Sequence, residues 1–200
     1  GIYGEKEDVT SFIKMLVLQT VSLHSYDEVK VILIADNENG CWDFVRYIPH
    51  FWDNEKKVRF LATNAAEVKE LSAFMDSSIL SRGDDERQSY TDYSPYYVII
   101  AADKKLTENS DVVDQLLKFK GNSGFSIIYG AEKLNDLPKE VSSVVYVGAN
   151  GSCIFDRADT TGKTVQFTPD TIDDSIIASA AEKLANIELD LTTQRYALPN

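Results

Sequence analysis

The chain has 200 residues, 44% of them hydrophobic and 26% charged, a composition typical of a soluble globular domain with a sizeable core. Its formal net charge is −12 at pH 7, and a surface this acidic repels phosphate backbones, which argues against nucleic acid as a partner. No run of about 18 or more apolar residues is present that could span a bilayer.

Few residues are available for metal or redox chemistry. Cys41 and Cys153 lie far apart without a Cys-x-x-Cys spacing, a pattern typical of unpaired thiols in a reducing cytosol. The two histidines, His24 and His50, are too few for a histidine-based metal centre. We therefore expect neither a disulfide nor a metal site.

The ends of the chain indicate a piece of a longer protein. The sequence starts at Gly1, with neither a methionine nor a signal peptide. We expect residues 1–189 to form one domain and residues 190–200 to be a linker to the next domain of the parent protein.

Helical and strand patterns alternate along the chain. Apolar residues recur at helical spacing over 8–24, and a nearly all-apolar, β-branched run in 27–36 predicts a strand covered on both faces. The polar segment 82–95 is predicted to be a mobile loop. The other predicted elements are a short strand at 57–62, a helix at 64–82 capped by Asn64, a strand at 96–103, a helix at 109–120, a strand at 124–130, strand-containing segments at 137–150, 151–156 and 163–169, and a helix at 173–188.

This order predicts an α/β fold with a mainly parallel sheet flanked by helices, because strands that alternate with helices are joined by right-handed crossovers. Asn150-Gly151 and Thr161-Gly162 are turn signals that predict hairpins, and therefore a small antiparallel extension near the C-terminus. The second turn contains Gly-Lys-Thr, as phosphate-binding loops do. Arg157 stands where such a loop has its first glycine, so we interpret 160–164 as a hairpin turn.

The opening stretch, GIYGEKED, has glycines spaced as in a phosphate-binding loop. If Gly1 is aligned with the first glycine of the motif G-x-x-x-x-G-K-[ST], Lys6 takes the position of the second glycine, Glu7 that of the lysine and Asp8 that of the Ser or Thr. Glutamate in place of lysine reverses a charge beside a polyanion, so we expect no strong phosphate binding. The strand that should precede such a loop is expected to be missing or truncated.

Two interpretations of this stretch stay open at this stage. It is a degenerate phosphate loop, or it is an ordinary strand-to-helix turn, since glycines such as Gly4 are common there without any ligand. Glu7 and Asp8 also suit the first turn of a helix, where the helix dipole favours negative charge.

The strand YYVIIAAD ends in Asp103, where a Walker B strand carries its magnesium ligand. Lys104 and Lys105 follow in place of a catalytic glutamate. Asp103 is therefore either a magnesium ligand or a residue that caps the following loop, and the absence of partner residues favours capping.

Aromatic residues crowd into residues 41–53, together with Arg46 and His50. Trp42, Arg46, His50 and Trp52 could form a docking surface, because Trp and Arg are enriched in binding hot spots. The alternative, which we favour, is a short irregular helix whose rings cover the sheet edge. No Ser-His-Asp, Cys-His or paired-carboxylate arrangement is supported by spacing.

Longer stretches of the sequence indicate a particular family more specifically than these short motifs do. VLQTVSLHSYDEVKVILIAD, WDFVRYIPHFWD, RFLATNAAEVKEL and NSGFSIIYGAEKLNDLP resemble the multi-domain ATPases of bacterial type VII secretion systems, the EssC/EccC family within the FtsK/SpoIIIE group. The sharpest part is the order Trp42, Arg46, Pro49, His50. The resemblance covers nearly the whole chain.

The resemblance implies a P-loop NTPase-like fold of the RecA/FtsK kind and a membrane-proximal, ATPase-like domain that does not hydrolyse ATP. It implies no cofactor for this domain, with ATP and magnesium serving other domains of the parent. It also implies a cytoplasmic location in a bacterial membrane protein. The implied partners are neighbouring domains of the same chain, further copies in a ring and other secretion components. The residues in the place of the degenerate nucleotide site are Gly1, Gly4, Lys6, Glu7, Asp8 and Asp103.

Two rival functions remain at the level of sequence. The first is a P-loop domain that binds or hydrolyses nucleotide. The second is a receiver-like Rossmannoid module in which Asp36 and Asp103, both at strand ends, form a magnesium pocket.

Overall fold

The structure, a computed structural model, describes residues 1–84, 93–119 and 124–188. The predicted linker at 190–200 and most of the predicted loop at 82–95 lie outside these residues. Within them, no helix is long and apolar enough to cross a membrane.

Strands and helices alternate through the described part of the chain. The helices are α1 (Lys6–Leu23), α2 (Ala65–Ser78), α3 (Lys104–Thr107), α4 (Asp111–Leu117) and α5 (Asp174–Ala185). The strands are β1 (Ile2–Tyr3), β2 (Val29–Ile34), β3 (Leu61–Ala62), β4 (Tyr96–Ala101), β5 (Phe125–Ala131), β6 (Ser143–Tyr146), β7 (Ser152–Asp156) and β8 (Val165–Phe167).

These strands form one sheet in the order β3-β2-β4-β5-β1-β6-β7-β8. Neighbours from β3 to β6 run parallel, and β6, β7 and β8 pair antiparallel. The predicted α/β fold with an antiparallel extension near the C-terminus is therefore confirmed. Both predicted hairpins are present, and residues 160–164 lie in the connection from β7 to β8.

The strand ahead of the glycine turn is part of the opening stretch itself. Ile2 and Tyr3 form β1, which lies between β5 and β6. A two-residue strand is long enough here because it is paired on both sides: Val145 N–H donates to the Gly1 carbonyl and Gly4 N–H to the Ala131 carbonyl.

Local hydrogen bonds explain where element boundaries differ from the prediction. The predicted strand at 57–62 is reduced to β3 because the Asp53 carboxylate accepts from the backbone N–H groups of Lys57 and Val58 and holds a turn there. The predicted helix at 109–120 is the shorter α4, preceded by a separate α3. Asn64 caps α2 as predicted, accepting from Ala66 N and Glu67 N.

The core lies on both faces of the parallel strands. Every residue of β2 is buried, as the prediction of a strand covered on both faces requires. Helix α1 packs on β5, where Gly130 leaves room for Ile13 and Val9. The row of buried residues in β2 includes one cation, Lys30, which is 3% exposed.

Candidate functional site

A cleft of about 490 Å³ opens where β2, β4 and β5 end. Its walls come from the residues that follow these strands and from the first turns of α1. In parallel α/β sheets, ligands bind at the carboxyl ends of the strands, so this is the place where a nucleotide-binding domain of this architecture holds its ligand.

The turn that enters α1 is much shorter than a phosphate-binding loop. Only Gly4 and Glu5 lie between β1 and α1, whereas a Walker A loop places about four residues between its two glycines. Gly1 precedes β1 and is not part of the turn, and its amino group donates to the Ser143 carbonyl at 2.6 Å. Gly1 therefore lies ahead of the turn, and the turn itself is where this chain departs from a phosphate-binding loop.

Gly4 serves close packing of the backbone. A Cβ added to Gly4 would lie 2.1 Å from the carbonyl oxygen of Val147, which follows β6. The turn is thus held against the end of β6, and no side chain can take the place of the glycine without moving backbone.

Lys6, the first residue of α1 after this turn, is paired with two carboxylates of the same chain. Lys6 Nζ lies 2.9 Å from Glu38 Oε2 and 3.2 Å from Asp36 Oδ2. The hydrogen bonds that Lys6 donates, first to Glu38 and then to Asp36, raise the pKa of Lys6. We call this three-residue cluster the Lys6 clasp. Glu7 and Asp8 lie in the first turn of α1 and add negative charge beside it.

The two carboxylates of the magnesium hypothesis do line the same cleft, but each is already engaged. Asp36 holds Lys6, and Asp103 Oδ1 accepts from Leu106 N–H at 2.8 Å as the N-cap of α3. Among the residues that the structure describes, no group of three Asp, Glu, Cys or His side chains could hold a metal ion. The next residue, Lys104, pairs with Asp136 at 3.0 Å.

Asp103 is expected to act on stability through this cap. Asp103→Ala should lower the free energy of unfolding by about 1 kcal/mol, measured by urea titration. Asp103→Asn should lose little, because asparagine caps helices as well as aspartate does. An equal loss in both variants would contradict the capping role.

The aromatic stretch packs against the core for the most part. Trp42 is 2% exposed and His50 is 3% exposed, with His50 Nε2 bonded to the His24 carbonyl at 2.8 Å. Arg46 is exposed and pairs with Asp43, while its carbonyl accepts from the indole N–H of Trp52. Of the four predicted side chains, Trp42 and His50 are thus buried, and Arg46 and Trp52 are the more accessible pair.

Sequence reasoning missed Glu38 and Asp136, which pair with Lys6 and Lys104 of the cleft lining. Each lies 32 residues from its partner along the chain. A signal was present in the sequence, since acidic residues follow β2 and β5. These acidic residues can be matched to Lys6 and Lys104 only when the sheet order is known, because that order places the ends of β2 and β5 beside α1 and α3.

The fold and the cleft together define an α/β domain whose first strand turns into a helix at the carboxyl edge of a mainly parallel sheet, with the cleft at that edge. Comparison with known proteins gives a narrower answer. No protein-family model matches the chain.

Curated relatives point to type VII secretion. The chain is 25% identical over 146 residues to the ESX secretion system protein EccC of Geobacillus thermodenitrificans, covering 72% of this chain and 10% of that protein. It is 18% identical over 190 residues to the type VII secretion system protein EssC of Staphylococcus aureus, covering 92% of this chain and 13% of that protein. The chain thus spans only about a tenth of the length of these relatives.

Solved structures agree on the fold. ATPases 2 and 3 of Thermomonospora curvata EccC, in complex with a signal sequence peptide, superpose with a TM-score of 0.64 at 14% identity. That match covers 92% of this chain and 41% of the other. The relatives and structural neighbours are EccC and EssC proteins of type VII secretion, which confirms the resemblance seen in the sequence.

Proposed function

We propose that this domain is a non-catalytic, ATPase-like module of a type VII secretion motor, which couples or regulates the membrane-anchored part and the active ATPase domains of its parent protein. One observation carries the proposal: beside a two-residue turn, Lys6 is held by Glu38 and Asp36. The group that would contact phosphate is thus occupied.

The chemistry of ATP binding supports this interpretation. A phosphate loop holds its ligand with a ring of backbone N–H groups, a free lysine and a hydroxyl on magnesium. Here the turn is too short to encircle a phosphate, and Glu7 and Asp8 bring negative charge to the start of α1. The Asp103 carboxylate caps α3 by accepting from Leu106 N–H.

The proposed setting rests on the resemblance in the sequence and is supported by relatives that are many times longer than this chain. We place the domain on the cytoplasmic side of a bacterial membrane, next to the membrane-proximal end of the parent's row of ATPase domains. Its partners would be those domains, further copies of the parent in a ring and other secretion components. ATP and magnesium would serve the other domains.

Calorimetry and a phosphate-release assay test the proposal. The purified domain is expected to show no binding of ATP with magnesium at micromolar concentrations and no hydrolysis above the buffer rate. Asp103→Ala should change neither result. Micromolar binding, or hydrolysis that Asp103→Ala abolishes, would overturn the proposal.

A nucleotide-binding domain is the second candidate, favoured by the position of the cleft and by Lys105 and Lys133 in its lining. The double change Glu7→Lys with Asp8→Ser restores the charges of a phosphate loop. We expect no gain in ATP affinity, because the two-residue turn cannot supply the missing N–H groups.

The matched control is Glu70→Lys with Asp76→Ser, which makes the same change of charge at exposed positions of α2. A gain in ATP affinity in the first double variant and not in the control would support the nucleotide-binding candidate. An equal gain in ATP affinity in both double variants would mean that the gain comes from the change in net charge and not from the turn.

A further inference from the structure

The end of β8 and the start of α5 both contact helix α1. The Phe167 ring lies 6.1 Å from the Phe12 ring of α1. Helix α5 then packs on the 3-10 turn Asp43–Tyr47, burying Ile177 and Ala181. The surface that α5 buries is therefore small, since most of the other side chains of α5 remain exposed.

One ion pair anchors the start of α5. Lys14 of α1 has a side chain that is 9% exposed, and its Nζ lies 2.7 Å from Asp174 Oδ1. An ammonium with little access to water needs a partner, so this contact favours the docked position of α5. Asp174 itself is 79% exposed, which leaves it free to move away when α5 does.

The turn that α5 covers is tied to the Lys6 clasp by hydrogen bonds. Asn37 stands between the two carboxylates of the clasp, Asp36 and Glu38. Its amide donates to Asp43 Oδ1 at 3.0 Å, and its carbonyl oxygen accepts from Trp42 N–H at 2.8 Å. Trp42 also lines the cleft, so one short segment faces α5 on one side and the cleft on the other.

We infer that α5 is a latch for the Lys6 clasp: while α5 is docked on Asp43–Tyr47, Asn37 holds Asp36 and Glu38 in place around Lys6, and undocking of α5 releases Lys6 into the cleft. The link is reciprocal, because two coupled equilibria shift each other by the same factor. A ligand that draws Lys6 away from its carboxylates weakens the docking of α5. The inference concerns this conformational link and holds whether or not the cleft binds nucleotide.

The reactivity of the Lys6 amine reports the state of the clasp. Amines are acylated in their neutral form, and pairing with Glu38 and Asp36 raises the pKa of Lys6. Each pKa unit lost on release increases the neutral fraction about tenfold. The probe is an N-hydroxysuccinimide ester of acetate at pH 7.5 or so, with peptide mass spectrometry and the exposed Lys69 as internal reference.

Ile177→Asp should unseat α5, because it places a charge at a buried position, and should raise the rate at Lys6 several-fold relative to Lys69. Ile176→Asp is the matched control, since Ile176 is 57% exposed on the same helix, and should leave the rate unchanged. The double change Asp36→Asn with Glu38→Gln sets the rate of a fully open clasp. Hydrogen exchange over Asp174–Ala185 shows whether α5 is docked.

Asp174→Asn provides a milder variant should Ile177→Asp fail to fold. Faster exchange in α5 together with faster acylation of Lys6 supports the latch. Faster exchange in α5 with an unchanged rate at Lys6 overturns it, as does slow exchange in α5 in both variants. None of these readouts involves ATP, so failure of the latch and failure of the proposed function are separate results.

Discussion

Gly4→Ala is expected to destabilise the domain by more than about 4 kcal/mol, a large part of the stability of about 5–15 kcal/mol that a typical domain has. The added methyl group would lie 2.1 Å from the carbonyl oxygen of Val147. That oxygen is a backbone atom and not the end of a flexible side chain, so β1 or the end of β6 has to move. Urea unfolding followed by circular dichroism measures the loss.

Gly151→Ala is the control for this substitution. Gly151 has a φ of +135°, so alanine is strained there too, but its Cβ would meet no atom within 4 Å. We expect a loss of about 1–2 kcal/mol, the cost of the backbone conformation alone. Equal losses at Gly4 and Gly151 would mean that the contact with Val147 contributes nothing.

Lys30→Met is expected to stabilise the domain by about 2 kcal/mol at pH 7. Lys30 lies in the buried strand β2, with its Nζ 3.4 Å from the Pro49 carbonyl and 5.5 Å from the centre of the Tyr26 ring. Burial lowers the pKa of Lys30 to about 8, which means that the folded protein holds this charge at a cost. Methionine keeps the apolar stem and removes the charge.

The stabilisation that Lys30→Met gives should decrease as the pH rises. The unfolded chain keeps the proton of Lys30 up to a pKa of about 10.5, whereas the folded protein releases it from about pH 8. Between these values the unfolded state binds more protons, so the Lys30 contribution to wild-type stability rises with pH. Urea titrations at pH 7 and pH 10 should therefore show a larger difference between wild type and Lys30→Met at pH 7.

Lys69→Met, at an exposed position of α2, is the matched control for the loss of one lysine. A constant difference between wild type and Lys30→Met would contradict the lowered pKa of Lys30. Taking differences between variants also removes the contribution of other groups that titrate in the same range.

Periodicity and turn residues were sufficient for the fold. The nearly all-apolar run around β2, the helical spacing of Val9 and Ile13 in α1 and the Asn150-Gly151 turn each depend on neighbours in sequence, and each is confirmed. Asn64 was predictable for the same reason, since a cap acts on the first turn of its own helix.

The site was less predictable because its contacts are distant in sequence. Lys6 meets Asp36 and Glu38 across 30 and 32 residues, and only the sheet order brings them together. The short turn at Gly4 and Glu5 could not be seen either, since a motif aligned on glycines carries no information about where β1 begins. Composition likewise could not separate the buried Trp42 from the more exposed Trp52.

The position of β1 has a consequence for the way in which the sheet comes apart. In the sheet, this two-residue strand alone joins the parallel strands β3, β2, β4 and β5 to the antiparallel ones, and the contact of residues 167–174 with α1 is a second link between the two parts. Helix α5 adds to this second link by packing on Asp43–Tyr47. Because Ile2, Val144 and Ile177 belong to the same buried core as β2 and β4, we expect the two parts to unfold together, with β1 as the strand whose loss would divide the sheet.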